Sequence, residues 1–387
     1  MPSVLILFAA IAFCVWLYLF FGRGFFWRVD IATADEDLPQ TRPALVAVVV
    51  PARNEAAVVA RSISSLLNQQ GSLSVRIFLV DDDSSDDTAE IARSAAALTT
   101  RADRLSVISG KPLPPGWSGK LWAMDQGVAA AKAINPDFLL LTDADIEHGP
   151  SSLATLCSVA DSGCFDLVSL MVKLYCRSFA ERALMPAFVY FFFQLYPPRW
   201  IRNPKRKTAA AAGGSILVRP EALERAGGIS AIRTEIIDDC ALARAVKRSG
   251  GRVWLGLTNE ARSVRPYGSF AEIGRMVSRN AFNQLQHSTP LLIATLAGMV
   301  LVYLLPPAIV LFSRNVPAEL VAGLAWLMMT ASFLPMVRFY RLTPAWSLAV
   351  PLIAVFYMGA SFHSAFRYWT GQGGEWKGRN QDPPKKS

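Results

Sequence analysis

The chain is short of charge. Of its 387 residues only 18% are Asp, Glu, Lys or Arg, against 52% apolar residues and a mean hydropathy of +0.30. That is high for a soluble protein. Cysteine is sparse: five residues, at 14, 157, 164, 176 and 240, form no CxxC pair and are odd in number. This suits free thiols in a reducing compartment rather than a disulfide framework. No GxGxxG follows the first strand-like run and no GxxxxGK[ST] occurs, which weighs against a dinucleotide fold and a P-loop. Zinc-finger spacing and aromatic RNA-binding motifs are missing too, so nucleic acid is not an expected partner. Internal repeats and low-complexity segments are also absent.

The charge is missing from particular places. Residues 3–21, 290–312, 317–337 and 345–366 are long apolar runs whose interiors lack Asp, Glu, Lys and Arg (Glu319 stands near the start of the third). Each spans a hydrocarbon core of about 30 Å at about 1.5 Å per residue. Buried core helices would show a polar face, and these do not. Four membrane helices are expected. The first run starts MPSV, without a basic side chain, and is followed by Arg23 and Arg28. That order favours an uncleaved anchor over residues 1–22, with its N-terminus outside and the next domain in the cytoplasm. Three helices over 290–366 then leave a basic tail, 367–387, outside. Either the positive-inside tendency is broken or one run is re-entrant, with 290–312 suspect because of Pro306 and Pro307.

The net charge is +9. Arg199, Arg202, Lys205, Arg206 and Lys207, with Lys377, Arg379, Lys385 and Lys386, cluster near expected membrane surfaces, where anionic headgroups attract them. Between the anchor and the later spans, about 40–285, short β-branched runs alternate with helical spacing. Strands are expected at 44–50, 75–80, 104–109, 138–142, 213–218 and 251–256. Helices are expected at 56–68, 88–97, 120–133, 237–249 and 269–286. This alternation predicts an α/β domain with a mainly parallel, doubly wound sheet. Ligands of such sheets bind beyond the carboxyl ends of the strands. The aromatic stretch at about 180–200, bounded by arginines and broken by prolines, reads as a helix in the membrane interface.

Three polar clusters stand at expected strand ends: PARNE at 51–55, DDDSSDD at 81–87 and DAD at 143–145. An EF-hand loop is excluded, because counting from Asp81 puts Asp86 sixth and Ala92 twelfth. Asp86 and Asp87 are expected to cap the next helix, which leaves Asp82 as the ligand-facing aspartate. Asp143 and Asp145, one residue apart, can hold one divalent cation through oxygen and so neutralise a diphosphate leaving group.

VDDDSSDDT, TDAD, PARNE, SGKLWA (118–123), GGSILVRPEAL (213–223) and DDCAL (238–242) resemble family 2 glycosyltransferases with a GT-A fold. The resemblance covers about residues 44–285. It implies inverting transfer of a sugar from a nucleotide diphosphate sugar, with UDP as the expected nucleotide and Mg²⁺ or Mn²⁺ as cofactor. Pro51, Arg53, Asn54 and Glu55 then match the first nucleotide-contacting loop, and Asp82 the residue at uracil or ribose. Gly119 and Lys120 match the GK along the diphosphate. Asp143 and Asp145 match the metal-binding DxD, the second usually being the direct ligand. Gly213 and Gly214 match a small-residue loop beside sugar and acceptor. Asp238 and Asp239 match the acidic pair of EDxxL, with Asp239 as general base. N-capping is the competing explanation for this pair.

Polymer synthases of this kind carry QxxRW; here 276–280 read MVSRN, with only Arg279 retained to hold the diphosphate. This favours one sugar transferred to a membrane lipid over a processive polysaccharide synthase. VPARNEA, PLPPGWSGKLWA, LLLTDADIEH and SRNAFNQL further resemble hopanoid biosynthesis-associated glycosyltransferases and, more distantly, ceramide glucosyltransferase-like enzymes. A hopanoid-like acceptor and a bacterial inner membrane, with the catalytic domain cytoplasmic, are implied. Protein partners are not specified. A non-catalytic nucleotide-sugar-binding membrane protein is the alternative from another class.

Overall fold

The computed structural model describes residues 2–33 and 43–371, with the backbone of 375–376 and 379–380. Residues 40–42 and most of the expected tail, Lys377, Lys385 and Lys386 included, lie outside the described residues. The chain divides into two compact units. One holds residues up to Val29, Cys176–Arg199 and those from Pro266 to 374; the other holds Asp30–Tyr175 and Trp200–Arg265.

The elements follow in chain order. Helix α1 is Pro2–Leu17, ending in a π-helical turn over Tyr18–Gly22. Then come β1 (Ala44–Ala52), α2 (Val59–Leu67), β2 (Leu73–Asp81), α3 (Thr88–Ala97), β3 (Leu105–Ser109) and α4 (Gly119–Ala131). Next are β4 (Phe138–Leu141), β5 (Ile146–His148), α5 (Ser152–Ser162), β6 (Leu167–Lys173), α6 (Phe179–Leu195) and α7 (Pro198–Arg202). After these come β7 (Ile216–Val218), α8 (Pro220–Arg225), α9 (Asp238–Arg248), β8 (Val253–Ser263) and α10 (Phe270–Gln284). The chain continues through α11 (Thr289–Met299), α12 (Leu305–Phe312), α13 (Val316–Phe339) and α14 (Val350–Trp369).

The second unit is built on an eight-stranded sheet of order β3-β2-β1-β4-β7-β6-β8-β5. Strands β3, β2, β1 and β4 run parallel, β7 lies antiparallel between β4 and β6, β8 is parallel to β6, and β5 is antiparallel to β8. The sheet is mixed but largely parallel, as the alternation predicted. Both faces of β1 and β4 are covered, which is why ALVAVVV and FLLL are continuous apolar runs rather than alternating ones. On one face, α2 buries Val59, Ser62, Ile63, Leu66 and Leu67, a helical stripe. Val59, Ile63, Leu66 and Leu67 join Val46, Val48, Val50, Ile77, Leu79 and Leu140 in one core cluster. On the other face α4 packs on β1 and β2. It approaches so closely at Gly127 that a Cβ there would lie 2.4 Å from Val49 Cγ1.

Two departures from the sequence reading matter for the site. β8 runs eleven residues to Ser263 instead of stopping at Gly256. Its polar second half is held because Ala261–Ser263 pair with β5, the three residues directly after DAD. And β5, α5 and β6, where no element was expected, fill 146–173. The parallel strands β1, β2 and β4 end on one rim, with the order reversing at β1, so the three polar clusters come together there.

Among the described residues, four helices are long and apolar enough to cross a membrane: Ser3–Gly22, Thr289–Phe312, Val316–Phe339 and Pro344–Trp369. They match the four runs and support membrane association. The run with Pro306 and Pro307 is helical throughout, taking a π-helical turn at Val300–Leu304 just before the prolines. Within this unit α6 begins at a capping box of Ser178 and Glu181. It packs on α13 and α14, with Tyr190 Oη 2.7 Å from Ser332 Oγ and Tyr357 Oη donating to Leu184 O at 2.8 Å. Trp16 Nε1 donates to Val302 O at 2.9 Å. Trp16, Tyr190 and Tyr357 thus place their polar tips on partners inside the bundle.

Candidate active site

The first two clusters zip together at the ends of β1 and β2. Pro51 is buried in β1 itself. Arg53 donates through Nη1 to the carbonyls of Asp82 and Asp83, and its guanidinium lies 3.8 Å from each of their carboxylates. Asn54 takes a left-handed backbone, φ 53°. Its N–H donates to Ser84 Oγ at 3.0 Å while its Oδ1 accepts from the Ser85 N–H at 2.8 Å. Asn tolerates this conformation better than most residues.

The aspartate run divides by environment. Asp82 is buried beside Arg53, with its side chain 2% exposed, whereas that of Asp83 is 84% exposed. Asp81 accepts from the Ser84 hydroxyl. The expected capping pair needs correction. Asp87 occupies the N-cap of α3 without a side-chain capping bond. Asp86 accepts from the Thr88 and Ala56 N–H groups, each at 3.2 Å. It therefore ties PARNE to α3 rather than only capping the helix. Burial opposes ionisation of Asp86, but the Thr88 hydroxyl, which also donates to it, and these N–H groups outweigh it and hold the carboxyl below its ordinary range.

The third cluster meets α4 and α9. Lys120, in the first turn of α4, places Nζ 2.8 Å from Asp143 Oδ1 and 3.0 Å from Asp238 Oδ2. Burial would lower the ammonium's pKa, but the two carboxylates raise it instead. Asp143 is itself pushed up, first by burial, with Lys120 opposing and Asp145 adding repulsion. Next to Asp238, Asp239 accepts from the Gly213 N–H at 2.9 Å through Oδ2 and from the Cys240 N–H at 2.6 Å through Oδ1. Burial, followed by repulsion from Asp238, pushes the Asp239 carboxyl up to about 6. A carboxylate with that pKa is suited to accept a proton near neutrality.

Gly213 lies beside this group: a Cβ there would sit in ordinary contact, 3.5 Å from Asp239 Oδ2 and 3.6 Å from Lys120 Nζ. The next residue joins a buried chain of hydrogen bonds. Thr142 Oγ1 donates to Gly214 O at 2.7 Å and lies 3.0 Å from His148 Nε2, and His148 Nδ1 lies 3.2 Å from Ser152 Oγ. Burial lowers the imidazole's pKa to about 4, keeping it neutral. Thr142 immediately precedes Asp143, so this chain fixes the DAD turn against the loop that carries Gly213 and Gly214.

Arg265 was not singled out in the sequence. Its Nε lies 2.8 Å from Asp145 Oδ2 and its Nη2 2.5 Å from Glu55 Oε2. Pro51, Arg53, Asn54, Glu55, Asp82, Gly119, Lys120, Asp143, Asp145, Gly213, Gly214, Asp238 and Asp239 all belong to the sheet-bearing unit, whereas Arg279 sits on α10 in the helical unit. Among the described residues no group of three or more His, Cys, Asp or Glu side chains is gathered to hold a metal ion. Two carboxylates fit a cation that takes its remaining ligands from phosphate and water, the usual habit of Mg²⁺, but not a protein cage.

The strand-end polar clusters, the glycine-rich loop and the acidic start of α9 converge on one rim. Residues 47–227 match the family described as Glycosyl transferase family 2. The matched segment runs from β1 through α8 and stops before Asp238. A curated relative, 4,4'-diaponeurosporenoate glycosyltransferase of Staphylococcus haemolyticus, is 30% identical over 130 residues, 34% of this chain. The match spans only 30% of that relative's length. Among solved structures, mannosyltransferase PcManGT from Pyrobaculum calidifontis, in complex with GDP-Man and Mn²⁺, superposes with a TM-score of 0.53 at 17% identity. The superposition covers 94% of this chain and 99% of that one, which supports a shared GT-A-like fold.

Proposed function

We propose that the chain is a membrane-bound, inverting family 2 glycosyltransferase that moves one sugar from a nucleotide diphosphate sugar to a membrane lipid. One observation carries the reading: Lys120 ties Asp143 to Asp238, while the neighbouring Asp239 is oriented by the Gly213 N–H. A donor-side carboxylate and an acceptor-side base are thereby held in one fixed group.

In this reading the loops of Arg53, Asn54 and Asp82 receive the nucleoside. Lys120 brings positive charge to the diphosphate. A divalent cation at Asp143 and Asp145, Mg²⁺ or Mn²⁺, would neutralise the leaving diphosphate. Asp239 takes the proton from the acceptor hydroxyl as its oxygen attacks the anomeric carbon. The bond to the diphosphate breaks on the opposite side, so one displacement inverts the centre. Arg279 is a further candidate for the diphosphate.

Four apolar helices support a lipid acceptor, and so does the glycosyltransferase name of a relative whose acceptor is 4,4'-diaponeurosporenoate. The hopanoid assignment, the bacterial inner membrane and the cytoplasmic placement of the catalytic unit rest on the sequence resemblance and on Arg23 and Arg28 following the first span.

The test supplies membranes containing the protein with labelled UDP- and GDP-sugars, a divalent metal and a hopanoid-containing lipid extract. An organic-extractable product carrying one sugar is expected. A long polymer would point to a processive synthase, glycosylation only of water-soluble acceptors would reject the lipid, and binding of a nucleotide sugar without turnover would leave a non-catalytic protein.

A further inference from the structure

Both carboxylates of the DAD turn are already matched by cations of the protein. Asp143 faces Lys120, and Asp145 faces Arg265. The second pair is built by the backbone. β8 pairs with β5, Ile146 standing opposite Ser263, and the Val264 N–H then donates to the carbonyl of Asp145 itself at 2.9 Å. The guanidinium of the next residue is thereby delivered to the Asp145 side chain. The same guanidinium reaches Glu55 in the loop after β1. These are not freely solvated surface charges: the side chains of Asp145, Glu55 and Arg265 are 18%, 12% and 31% exposed.

A divalent cation approaching Asp145 therefore competes with a resident positive charge at hydrogen-bonding distance. Arg stays protonated at any working pH, so the competition cannot be relieved by losing a proton. It is relieved when an anion arrives that both the metal and the displaced guanidinium can use. A diphosphate supplies several such oxygens.

We propose that Arg265 is a positioning residue that holds Asp145 in the donor-free protein and competes with the divalent cation for it. A bare cation then binds weakly, and the cation enters together with the nucleoside diphosphate. This second half rests on the reading of the DAD turn as the donor and metal site given above. In this role Arg265 also links metal entry to the nucleotide loop, because Glu55 shares its guanidinium.

The experiment measures Mn²⁺ binding to the purified full chain in detergent, by the paramagnetic resonance signal of free Mn²⁺, alone and with UDP or GDP. Wild type, Arg265→Gln, Arg265→Lys and the double variant Arg265→Gln/Asp145→Asn are compared. Arg265→Gln is expected to bind bare Mn²⁺ at least tenfold more tightly than wild type. Arg265→Lys falls between them, since one ammonium cannot span both carboxylates as the guanidinium fork does. The double variant returns to weak binding.

Bare-Mn²⁺ binding by Arg265→Gln no tighter than wild type overturns the proposal. So does loss of Mn²⁺ binding by this variant with and without nucleotide, which would assign Arg265 a purely structural role. If Arg265→Gln binds bare Mn²⁺ more tightly but neither nucleotide changes binding in any form, the competition at Asp145 stands and the nucleotide-diphosphate reading fails.

Discussion

Replacing Asp239 by Asn keeps the size of the side chain and removes its capacity to take a proton. The consequences for rate and stability have opposite signs. With the carboxyl at about 6, about a tenth of it is ionised at pH 5 and about nine tenths at pH 7, so wild-type transfer should rise close to tenfold across that interval. The Asn variant should lose about a hundred- to ten-thousand-fold in transfer rate and the acid limb of the profile with it. For stability, the folded state holds the carboxyl about two units above its ordinary 3.8, and each unit is worth about 1.4 kcal/mol. The proton-bound form is thus favoured by folding. Its contribution is fully present below about 4 and is lost as pH rises through about 6. At pH 8 the ionised carboxylate costs about 3 kcal/mol. Asn avoids that cost but gives up one of the two N–H bonds to Gly213 and Cys240, worth about 1 kcal/mol. A net stabilisation of about 2 kcal/mol at pH 8, turning into a destabilisation of about 1 kcal/mol by pH 4, follows. Transfer assays from pH 5 to 8 and thermal unfolding of the detergent-purified protein at pH 4 and pH 8 measure both effects. An Asn variant destabilised equally at both pH values, or one retaining wild-type activity with its acid limb, would refute the assignment of a strained base.

Other outcomes follow from the same geometry. Lys120→Met leaves Asp143 and Asp238 without their shared cation; it should cost about 2–4 kcal/mol, less than a fully buried pair because Asp143 is 35% exposed. It should also move the acid limb of transfer above 6, since Lys120 otherwise lowers the Asp239 pKa, and the pH profile reports this. Gly127→Ala pushes a methyl to within 2.4 Å of Val49 and lifts α4 from the sheet, with an expected loss of about 1–3 kcal/mol read as a lower unfolding temperature. His148, held at about 4 instead of 6.5, contributes stability that is present above 6.5 and lost as pH falls through 4. His148→Gln should remove that acid-side loss, so an unchanged melting profile between pH 4 and 7 argues against a buried neutral imidazole.

Much of this protein is determined locally. Runs such as ALVAVVV and FLLL, buried on both faces, need no partner to be read as inner strands. The four candidate spans are marked by length and by missing charge, the features a bilayer requires of a spanning helix. The clusters PARNE, DDDSSDD and DAD were readable as rim residues, since parallel strands that share a sheet end on the same side. What the tertiary structure decided is which charge meets which. Nothing in the spacing of Lys120, Asp143 and Asp238 shows that one ammonium bridges both acids, because that depends on where α4 and α9 dock. The polar half of β8 is a strand only through its pairing with β5, and that pairing is what brings Arg265 to Asp145 and Glu55. A lone arginine carries no signal of its own; long-range strand register, absent from any local pattern, gives it a place.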